Sequence, residues 1–528
     1  MAAPAEADDL KRALRRSSRL WLGLFLLFFL LGSGMPQSLD ETQMIRVAKG
    51  LSHFHWADLL PTKYAIGTSL FEVPFVWLGQ LAARLMPGEQ VQAMWLCTYL
   101  MPPAFGALSA VLVWTLARAL GQSPRHAAVS VFCFAFASFA LAYQTRLFSE
   151  GAQTTALLAA VVLVWKYRQT PSTRLLYGIG LALGALFTLK PASAAISGPF
   201  FAWFLWKAVP GGSIVARLGR AGHVVAGAIP GIAVVLMHNR LRYGSVWSFG
   251  YSEERDLEYG FHGSLAMGIY GLLLSPGAGL IVYMPVGVAG IAGLVTLRRR
   301  HPASAILTLG LPLAFVLFHA RWWSWHGGWC WGPRFLVPVT PLLALGVGEL
   351  DWESWSRTGR NALRALIAVS TLMQIPGLAV SSQDYAEHVM VACQKSFPSW
   401  QEQSPTTPSG PVDDNLEIHF LPAFSPPLGH SWLALSRLFG DVGQAPWDGQ
   451  RLCERLRPKH KPLEFWWATA MRTQSGLALA MTLFAAALLV ILAAVVLSRW
   501  WGEIDAMDGR AERGAMTGEP PPRVATAS

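Results

Sequence analysis

The chain has 528 residues, of which 53% are hydrophobic and only 14% are charged. This composition excludes an ordinary soluble domain of this length. The formal net charge of +11 would suggest nucleic acid as a partner of a soluble protein. Most basic residues, however, stand in short loops at the ends of apolar runs, where they indicate membrane orientation, so the expected partner is the lipid bilayer and not nucleic acid.

Apolar runs of about 20 residues, the length that crosses a bilayer as a helix, recur along most of the chain. A membrane barrel would show short alternating segments instead. The sequence therefore predicts an all-α polytopic membrane protein with about 12 transmembrane helices. The predicted spans are 18–36, 92–117, 126–143, 151–166, 173–189, 191–207, 222–239, 279–297, 303–320, 334–350, 361–380 and 474–499.

The basic residues between these spans predict the orientation. With twelve spans, both termini and the arginine-rich loops, including 298–300, fall on one side, which the positive-inside rule makes cytoplasmic. The segment 64–85 is apolar, but Glu72 and Pro74 interrupt it, and counting it as a span would turn 298–300 outward. We therefore expect it to lie in the outer interface or to re-enter from it. The expected location is the cytoplasmic (inner) membrane.

The predicted organisation has four parts. Residues 1–380 form the transmembrane core, and its first outer loop, 37–91, carries interfacial helices. Residues 381–473 are rich in proline, show no long helical period and are predicted to form a small extracytoplasmic region. Residues 474–500 form the last transmembrane helix, and 501–528 form a disordered cytoplasmic tail.

The five cysteines show no CxxC pair and no Cys/His cluster with the spacing of metal ligands. No zinc or iron-sulfur site is therefore expected. Cys393 and Cys453 both fall in the outer region, where an oxidising compartment would permit a disulfide between them.

Charged residues in the first outer loop are the first candidates for function, because charge near lipid costs free energy unless it has a partner or a ligand. The loop opens with Ser38-Leu39-Asp40-Glu41. The Ser-x-x-Glu spacing is that of a capping box, and on spacing alone Glu41 closes a helix start while Asp40 complements the helix dipole. Lys63 stands at headgroup depth, where it either snorkels or binds the phosphate of a lipid carrier.

Two further outer turns contain paired charges. Arg240 and Arg242 begin an outer loop and either bind phosphate or pair with the acidic residues of 253–256. Glu150 and Arg146 lie in a turn between two spans, where a structural ion pair is the favoured interpretation. Glu150 is also a candidate contact to a sugar or acceptor.

The most unusual segment is 321–334, which has five tryptophans in ten positions among glycine, histidine and two arginines. An aromatic belt at the membrane interface explains one or two of them. The remainder favour a platform for a sugar ring, because aromatic faces pack on apolar sugar surfaces and glycine lets the backbone approach. The candidate contacts to sugar or acceptor are Trp325, His326, Trp329 and Trp331, and Arg334 is a candidate phosphate contact.

Together these residues resemble the GT-C superfamily of polyprenyl-phosphate-sugar-dependent glycosyltransferases, and within it the protein O-mannosyltransferases and lipid A aminoarabinose transferases. The resemblance spans residues 1 to about 350. Four features carry it: Asp40-Glu41 directly after the first span, Lys63 before a stretch with glycine and proline, the turn Arg242-Tyr243-Gly244-Ser245, and the loop ending in Trp331-Gly332-Pro333-Arg334-Phe335.

The resemblance implies a GT-C-like bundle with its active site on the outer face and inversion at the anomeric carbon. Asp40 would be the catalytic base, Glu41 would belong to the same motif, and Lys63 would contact the carrier phosphate. The implied partners are a polyprenyl-phosphate-linked sugar and a glycan, lipid or protein acceptor. No metal or other cofactor is expected, because side-chain cations balance the leaving phosphate. The candidate helpers at that phosphate are Arg240, Arg242 and Arg334.

A transporter or flippase of lipid-linked sugars is the alternative function. It would need the same outer cations and aromatic residues. Such proteins usually carry repeated halves and polar or broken helices at mid-membrane. The sequence shows neither an internal repeat nor a paired set of mid-span charges, so glycosyl transfer is the favoured prediction.

Overall fold

The computed structural model describes residues 4–55, 64–86, 88–208, 213–249, 260–396, 419–440, 442–443, 445–446 and 462–517. Throughout these residues the regular structure is helical. The α-helices are α1 (Pro4–Leu30), α2 (Leu39–Ser52), α3 (Gly67–Leu85), α4 (Gln90–Thr98), α5 (Met101–Ala119), α6 (Pro124–Ala135), α7 (Ala140–Thr145), α8 (Ser149–Gln169), α9 (Thr173–Leu189), α10 (Pro191–Trp203), α11 (Ile214–Tyr243), α12 (Leu265–Leu274), α13 (Leu280–Tyr283), α14 (Val286–Arg300), α15 (Ala305–Thr308), α16 (Gly310–Ala320), α17 (Thr340–Val347), α18 (Arg357–Leu372), α19 (Ile375–Ala379), α20 (Ser382–Ser396), α21 (Pro426–Phe439), α22 (Trp466–Thr473) and α23 (Gly476–Thr517).

Each predicted span coincides with one helix or with a short series of helices. The span 126–143, for example, is divided between α6 and α7. By length and composition, the helical stretches that could cross a membrane are Gln90–Ala119, Ile214–Tyr243, Pro302–Ala320, Arg357–Ala379 and Gly476–Gly509. The predicted all-helical, multi-pass membrane fold is thereby confirmed, and the number of twelve spans stays a prediction.

The main hydrophobic core is formed mostly by buried side chains of α1, α5 to α10 and α12 to α17, and α11 packs against it through Val224. Glycines bring some of these helices into backbone contact, as is common where helices pack in a membrane. An ideal Cβ on Gly293 of α14 would lie 1.7 Å from the carbonyl oxygen of Gly346 in α17. A Cβ on Gly180 of α9 would lie 2.0 Å from the carbonyl oxygen of Val224 in α11. The close packing of α9 on α11 holds their ends at one end of the bundle.

The last helix is longer than the sequence predicts. Residues 501–517, which we expected in a disordered tail, continue α23 as far as Thr517. Ile504 is fully buried, and Arg125 of α6 pairs with Asp508 at 3.1 Å. Asp508, one of the charged residues that suggested a solvated tail, therefore has a partner on the bundle. Residues 518–528 lie outside the described part of the chain.

The described residues of 381–473 form a small helical unit where no long helical period was expected. Buried Arg437 of α21 pairs with Asp384 of α20 and, at 3.4 Å, with Glu464. Its small core packs against Trp329 in the tryptophan-rich segment. The unit thus stabilises one side of that segment.

Candidate active site

A cavity of about 620 Å³ lies where several helix ends meet. Its wall is formed by the first turn of α2, the segment 64–68, the end of α9 with the start of α10, the end of α11, and residues 322–335. The sequence predicts that these segments are outer loops or the outer ends of spans. Apart from the tryptophans, the polar side chains among the lining residues are those of Asp40, Tyr64, Thr68, Ser149, Lys190, His238, Asn239, Arg242, Ser324 and Arg334.

Asp40 faces this cavity from the first turn of α2. The Ser38 hydroxyl caps the helix by accepting a hydrogen bond from the Glu41 amide at 3.3 Å, as the capping-box spacing predicts. The Asp40 carboxylate accepts hydrogen bonds from the Tyr64 hydroxyl and, at 3.2 Å, from the Arg334 guanidinium. Its side chain remains 26% exposed. The carboxylate is therefore held in one orientation and still reaches the cavity.

Arg334 joins two carboxylates at the cavity wall. Its Nε atom donates to Glu150 at 2.7 Å, its Nη1 atom donates to Asp40, and the guanidinium lies over the Phe148 ring. Glu150 is 2% exposed. The sequence suggested that Glu150 pairs with Arg146, but in the structure Glu150 pairs with Arg334. Arg146 instead donates to the carbonyl oxygens of residues 377 and 380. Arg334 therefore orients Asp40, and Glu150 in turn orients Arg334.

Glu41 points away from the cavity, because consecutive residues on a helix are about 100° apart. It is fully buried and accepts hydrogen bonds from the Tyr99 hydroxyl and from the Gln37 amide. Burial raises the pKa of Glu41 to about 7, against the Tyr99 hydrogen bond and the charge of Arg146, which lower it. Its catalytic role stays a prediction, and its position is that of a support behind Asp40.

Glu72 of α3 is a second fully buried carboxyl group. In the sequence it stands out only because it interrupts an apolar segment. Burial raises its pKa well above the ordinary value, and the nearby Glu41 raises it further. Neither of its oxygens has a hydrogen-bond partner within the described residues. The face of α3 that carries Glu72 is therefore packed against the rest of the protein, whereas Trp77, Leu81 and Leu85 of the same helix are exposed.

Apart from Arg334, the tryptophan-rich segment contributes different residues to the cavity from those predicted. Trp325 and Trp331 are 2% and 1% exposed and pack into the core, where the Trp331 indole donates to Gln374 at 3.0 Å. The residues of this segment that line the cavity are Trp322, Trp323, Ser324, Gly327, Gly328, Arg334 and Phe335. Gly327 and Gly328 have φ values of 80° and 76°, a conformation that favours glycine, and this turn brings the segment back over the cavity.

His326 and Trp329, two other predicted sugar contacts, lie outside the lining of the cavity. His326 is buried and stacks on His419, with ring centroids 4.1 Å apart. Burial lowers the pKa of His326 to about 4, so its ring is neutral at physiological pH. Trp329 packs edge-on to Tyr385 of α20. In the described structure both residues join the tryptophan-rich segment to the C-terminal helical unit.

The predicted phosphate-binding cations separate into three cases. Arg242 lines the cavity and donates to the Tyr64 carbonyl oxygen at 3.2 Å. Arg240 is exposed, donates to the Gly244 carbonyl oxygen and does not line the cavity. Lys63 lies outside the described residues, as do 250–259, which hold the acidic partners proposed for the two arginines.

Several lining residues were missed by the sequence prediction of the site. Lys190 was recognised as an outward charge but not as a site residue, and Tyr64, His238, Trp322 and Trp323 were not proposed as site residues. For Lys190 the available signal was its place as a lone cation in a short turn between two apolar runs. For Trp322 and Trp323 the signal was the tryptophan-rich segment itself, whereas Tyr64 and His238 could be found only from the packing of the surrounding segments.

Histidine, cysteine and acidic side chains are the possible metal ligands, and cysteines alone could form a disulfide. Among the described residues there is no group of three or more His, Cys, Asp or Glu side chains that could hold a metal ion. Cys97, Cys133 and Cys330 are free thiols. Cys453 and the side chain of Cys393 lie outside the described part of the chain, so their disulfide stays a prediction.

No family model matches the chain, and no curated protein matches it. Two solved structures of ArnT from Cupriavidus metallidurans are similar to it, one bound to undecaprenyl phosphate and one in the apo state. Both share 13% sequence identity with the chain and cover 91% of it and 77% of their own chain, with TM-scores of 0.44 and 0.48 respectively. At this identity the likeness concerns the course of the chain and not its activity.

Proposed function

We propose that this chain is a membrane glycosyltransferase that moves a sugar from a polyprenyl-phosphate donor to an acceptor at the outer face of the cytoplasmic membrane. The observation that carries the proposal is the meeting of Asp40 with three cations, Lys190, Arg242 and Arg334, in one cavity. A base beside several cations suits a reaction that takes a proton from an acceptor and releases an anion. The sequence resemblance of Asp40-Glu41 and of the 331–335 loop supports the same reaction.

The lining of the cavity also supports a lipid-linked donor. Besides its charged groups, the wall carries apolar side chains from α2, α9, α10 and α11, among them Met44, Phe187, Leu189 and Val235, together with Phe249. Such a surface suits a hydrocarbon chain attached to a phosphate better than a soluble nucleotide, which would need more polar contacts. The tryptophans at 322 and 323 offer aromatic faces for the sugar ring.

In the proposed reaction the acceptor hydroxyl or amine attacks the anomeric carbon of the donor. Asp40 takes the proton as the new bond forms. The bond between the anomeric carbon and the phosphate oxygen breaks, and its electron pair leaves with polyprenyl phosphate. Arg242 and Lys63 stabilise the charge that develops on this leaving group. A single displacement of this kind inverts the anomeric centre.

The test is an Asp40→Asn variant of the full chain in lipid nanodiscs. It is incubated with a panel of polyprenyl-phosphate sugars and a membrane extract as the acceptor source, and the release of free polyprenyl phosphate is measured. We expect a loss of about 10²–10⁴-fold in rate, as for the removal of a general base. Asp351→Asn, an exposed carboxyl group in the loop after α17, is the matched control and should retain full activity.

Full activity of the Asp40→Asn variant would reject Asp40 as the base. If the wild-type protein instead moves lipid-linked sugars across a sealed vesicle without releasing the carrier, the protein is a transporter and the transferase assignment is wrong. Thermal unfolding of both variants shows whether a loss of activity reflects chemistry or a loss of folding, because Asp40→Asn also weakens the contact with Arg334.

A further inference from the structure

The junction of α9 and α10 places a cation at the cavity that the predicted site did not include. Lys190 is the residue between these helices; it is half-buried and lines the cavity. Its ammonium lies over the Phe335 ring, 5.3 Å from the centroid, and makes no hydrogen bond or ion pair within the described residues. Arg334, in contrast, already holds two carboxylates. Lys190 is thus a cation available to a ligand.

The start of α10 adds backbone donors beside Lys190. The helix has 13 residues, begins with Pro191 and has no side chain that caps its first turn. Pro191 and Ala192 both line the cavity. Pro191 has no N–H, so the first backbone donors of α10 are the amides of Ala192 and Ser193, which have no partner within the helix and carry a partial positive charge; this end therefore favours an anion.

An unpartnered histidine on α11 points to a ligand independently of the helix end. His238 is 5% exposed, lines the same cavity, and its Nε2 atom has no hydrogen-bond partner within the described residues. Leaving a buried polar atom without a partner costs free energy, which a bound group would recover. Arg242 lies four residues further along α11 and therefore on the same face.

We propose that Lys190, the first amide groups of α10 and His238 form a subsite for a phosphate group. An ammonium, backbone amides and an imidazole on different parts of one wall match the several acceptor oxygens of a phosphate better than the two oxygens of a carboxylate. The phosphate belongs either to a lipid-linked ligand or to a free anion. The lipid-linked source rests on the proposed function, whereas the subsite itself does not.

The test measures phosphate binding to the full chain in lipid nanodiscs, with two probes used separately: undecaprenyl phosphate and inorganic phosphate. The variants are Lys190→Met and His238→Leu, which remove the polar groups and keep much of the side-chain volume. The matched control for the lysine is Lys166→Met, at an exposed lysine near the C-terminal end of α8. The matched control for the histidine is His223→Leu on α11; the His223 ring lies 3.3 Å from the Tyr177 hydroxyl. Thermal unfolding reports the folding of every variant.

We expect each site variant to bind about tenfold more weakly or worse, the usual loss for one hydrogen bond to a charged group, and both controls to bind as the wild type does. Weaker binding of undecaprenyl phosphate alone identifies a lipid-linked phosphate, and weaker binding of both probes identifies the phosphate group itself. The proposal is overturned if the wild type binds neither probe, or if the folded Lys190→Met and His238→Leu variants bind both probes normally.

The carrier-release assay separates this subsite from the proposed function. If the wild type binds phosphate through Lys190 but releases no carrier from any lipid-linked sugar, the subsite stands and the transferase proposal fails. If release depends on Asp40 while the Lys190 and His238 variants bind and react normally, the transferase proposal stands and the subsite fails.

Discussion

Replacing Glu41 by glutamine separates a supporting role of this residue from a catalytic one. Glu41 is fully buried behind Asp40 and accepts a hydrogen bond from Tyr99. Glutamine keeps the shape of the side chain and an oxygen that can accept this hydrogen bond, but it cannot ionise. The variant therefore removes a titrating group from the wall of the site without opening a cavity there.

The expected effect is a change in how stability depends on pH. Burial raises the pKa of Glu41 from 4.5 to about 7, so the folded protein holds this proton more tightly than the unfolded chain does. As pH rises from 4.5 to 7, the unfolded state loses its proton first and the free energy of unfolding falls; above pH 7 the fall stops. The difference between the two pKa values corresponds to about 3 kcal/mol.

The measurement is denaturant unfolding in detergent between pH 4.5 and 8, followed by circular dichroism. The stability of Glu41→Gln relative to the wild type should increase by about 3 kcal/mol across this range. Glu387→Gln, an exposed residue of α20, should show no such trend. Parallel pH profiles for Glu41→Gln and the wild type would refute the assignment of a buried, proton-holding carboxyl group.

The same variant tests catalysis directly. Because Glu41 does not line the cavity, we expect Glu41→Gln to keep carrier release while Asp40→Asn loses it. A folded Glu41→Gln protein as inactive as Asp40→Asn would refute the supporting role and favour the catalytic one that the sequence resemblance implies.

Two further predictions concern the ion pair of Arg334 with Glu150 and the close packing of α14 on α17. Arg334→Met should lower the free energy of unfolding by about 3–5 kcal/mol, because it leaves buried Glu150 without its partner. Adding Glu150→Gln should recover much of the stability in the same denaturant assay but should not restore carrier release. A double variant that is no more stable than Arg334→Met alone would contradict this prediction. Gly293→Ala should lower the free energy of unfolding by about 1–3 kcal/mol, since its Cβ would meet the backbone of α17. The control is Gly219→Ala, whose Cβ would have nothing within 4 Å and which should leave stability unchanged or raise it. Equal effects of the two substitutions would refute the close contact between α14 and α17.

Much of the fold follows from local sequence. Apolar runs of span length predicted the helices, and the start of α2 follows from the spacing of Ser38 and Glu41 because a helix start needs such a cap. The sequence predicts the end of α23 too early. The pairing of Asp508 with Arg125 joins residues far apart in the chain, so no local pattern indicates it. A charged segment looks the same in sequence whether its partners are water or another helix.

Part of the site was also predictable. Asp40, Arg242 and Arg334 were proposed from their positions on the outer side, and all three line the cavity. Lys190 was seen only as an outward charge, and Trp331 was proposed as a sugar contact although it is 1% exposed. Which tryptophans of this segment line the cavity and which are buried in the core depends on tertiary packing, which the spacing of aromatic residues does not reveal.

The sequence by itself determined that this chain is a helical membrane protein, because the length of hydrophobic runs and the charge of loops are local properties that the bilayer constrains directly. It also placed an Asp-Glu pair at a helix start. Only the tertiary structure decided that Asp40 faces the cavity while its neighbour Glu41 is buried against Tyr99. That difference arises from the rotation of α2 about its axis, which is set by packing against other helices.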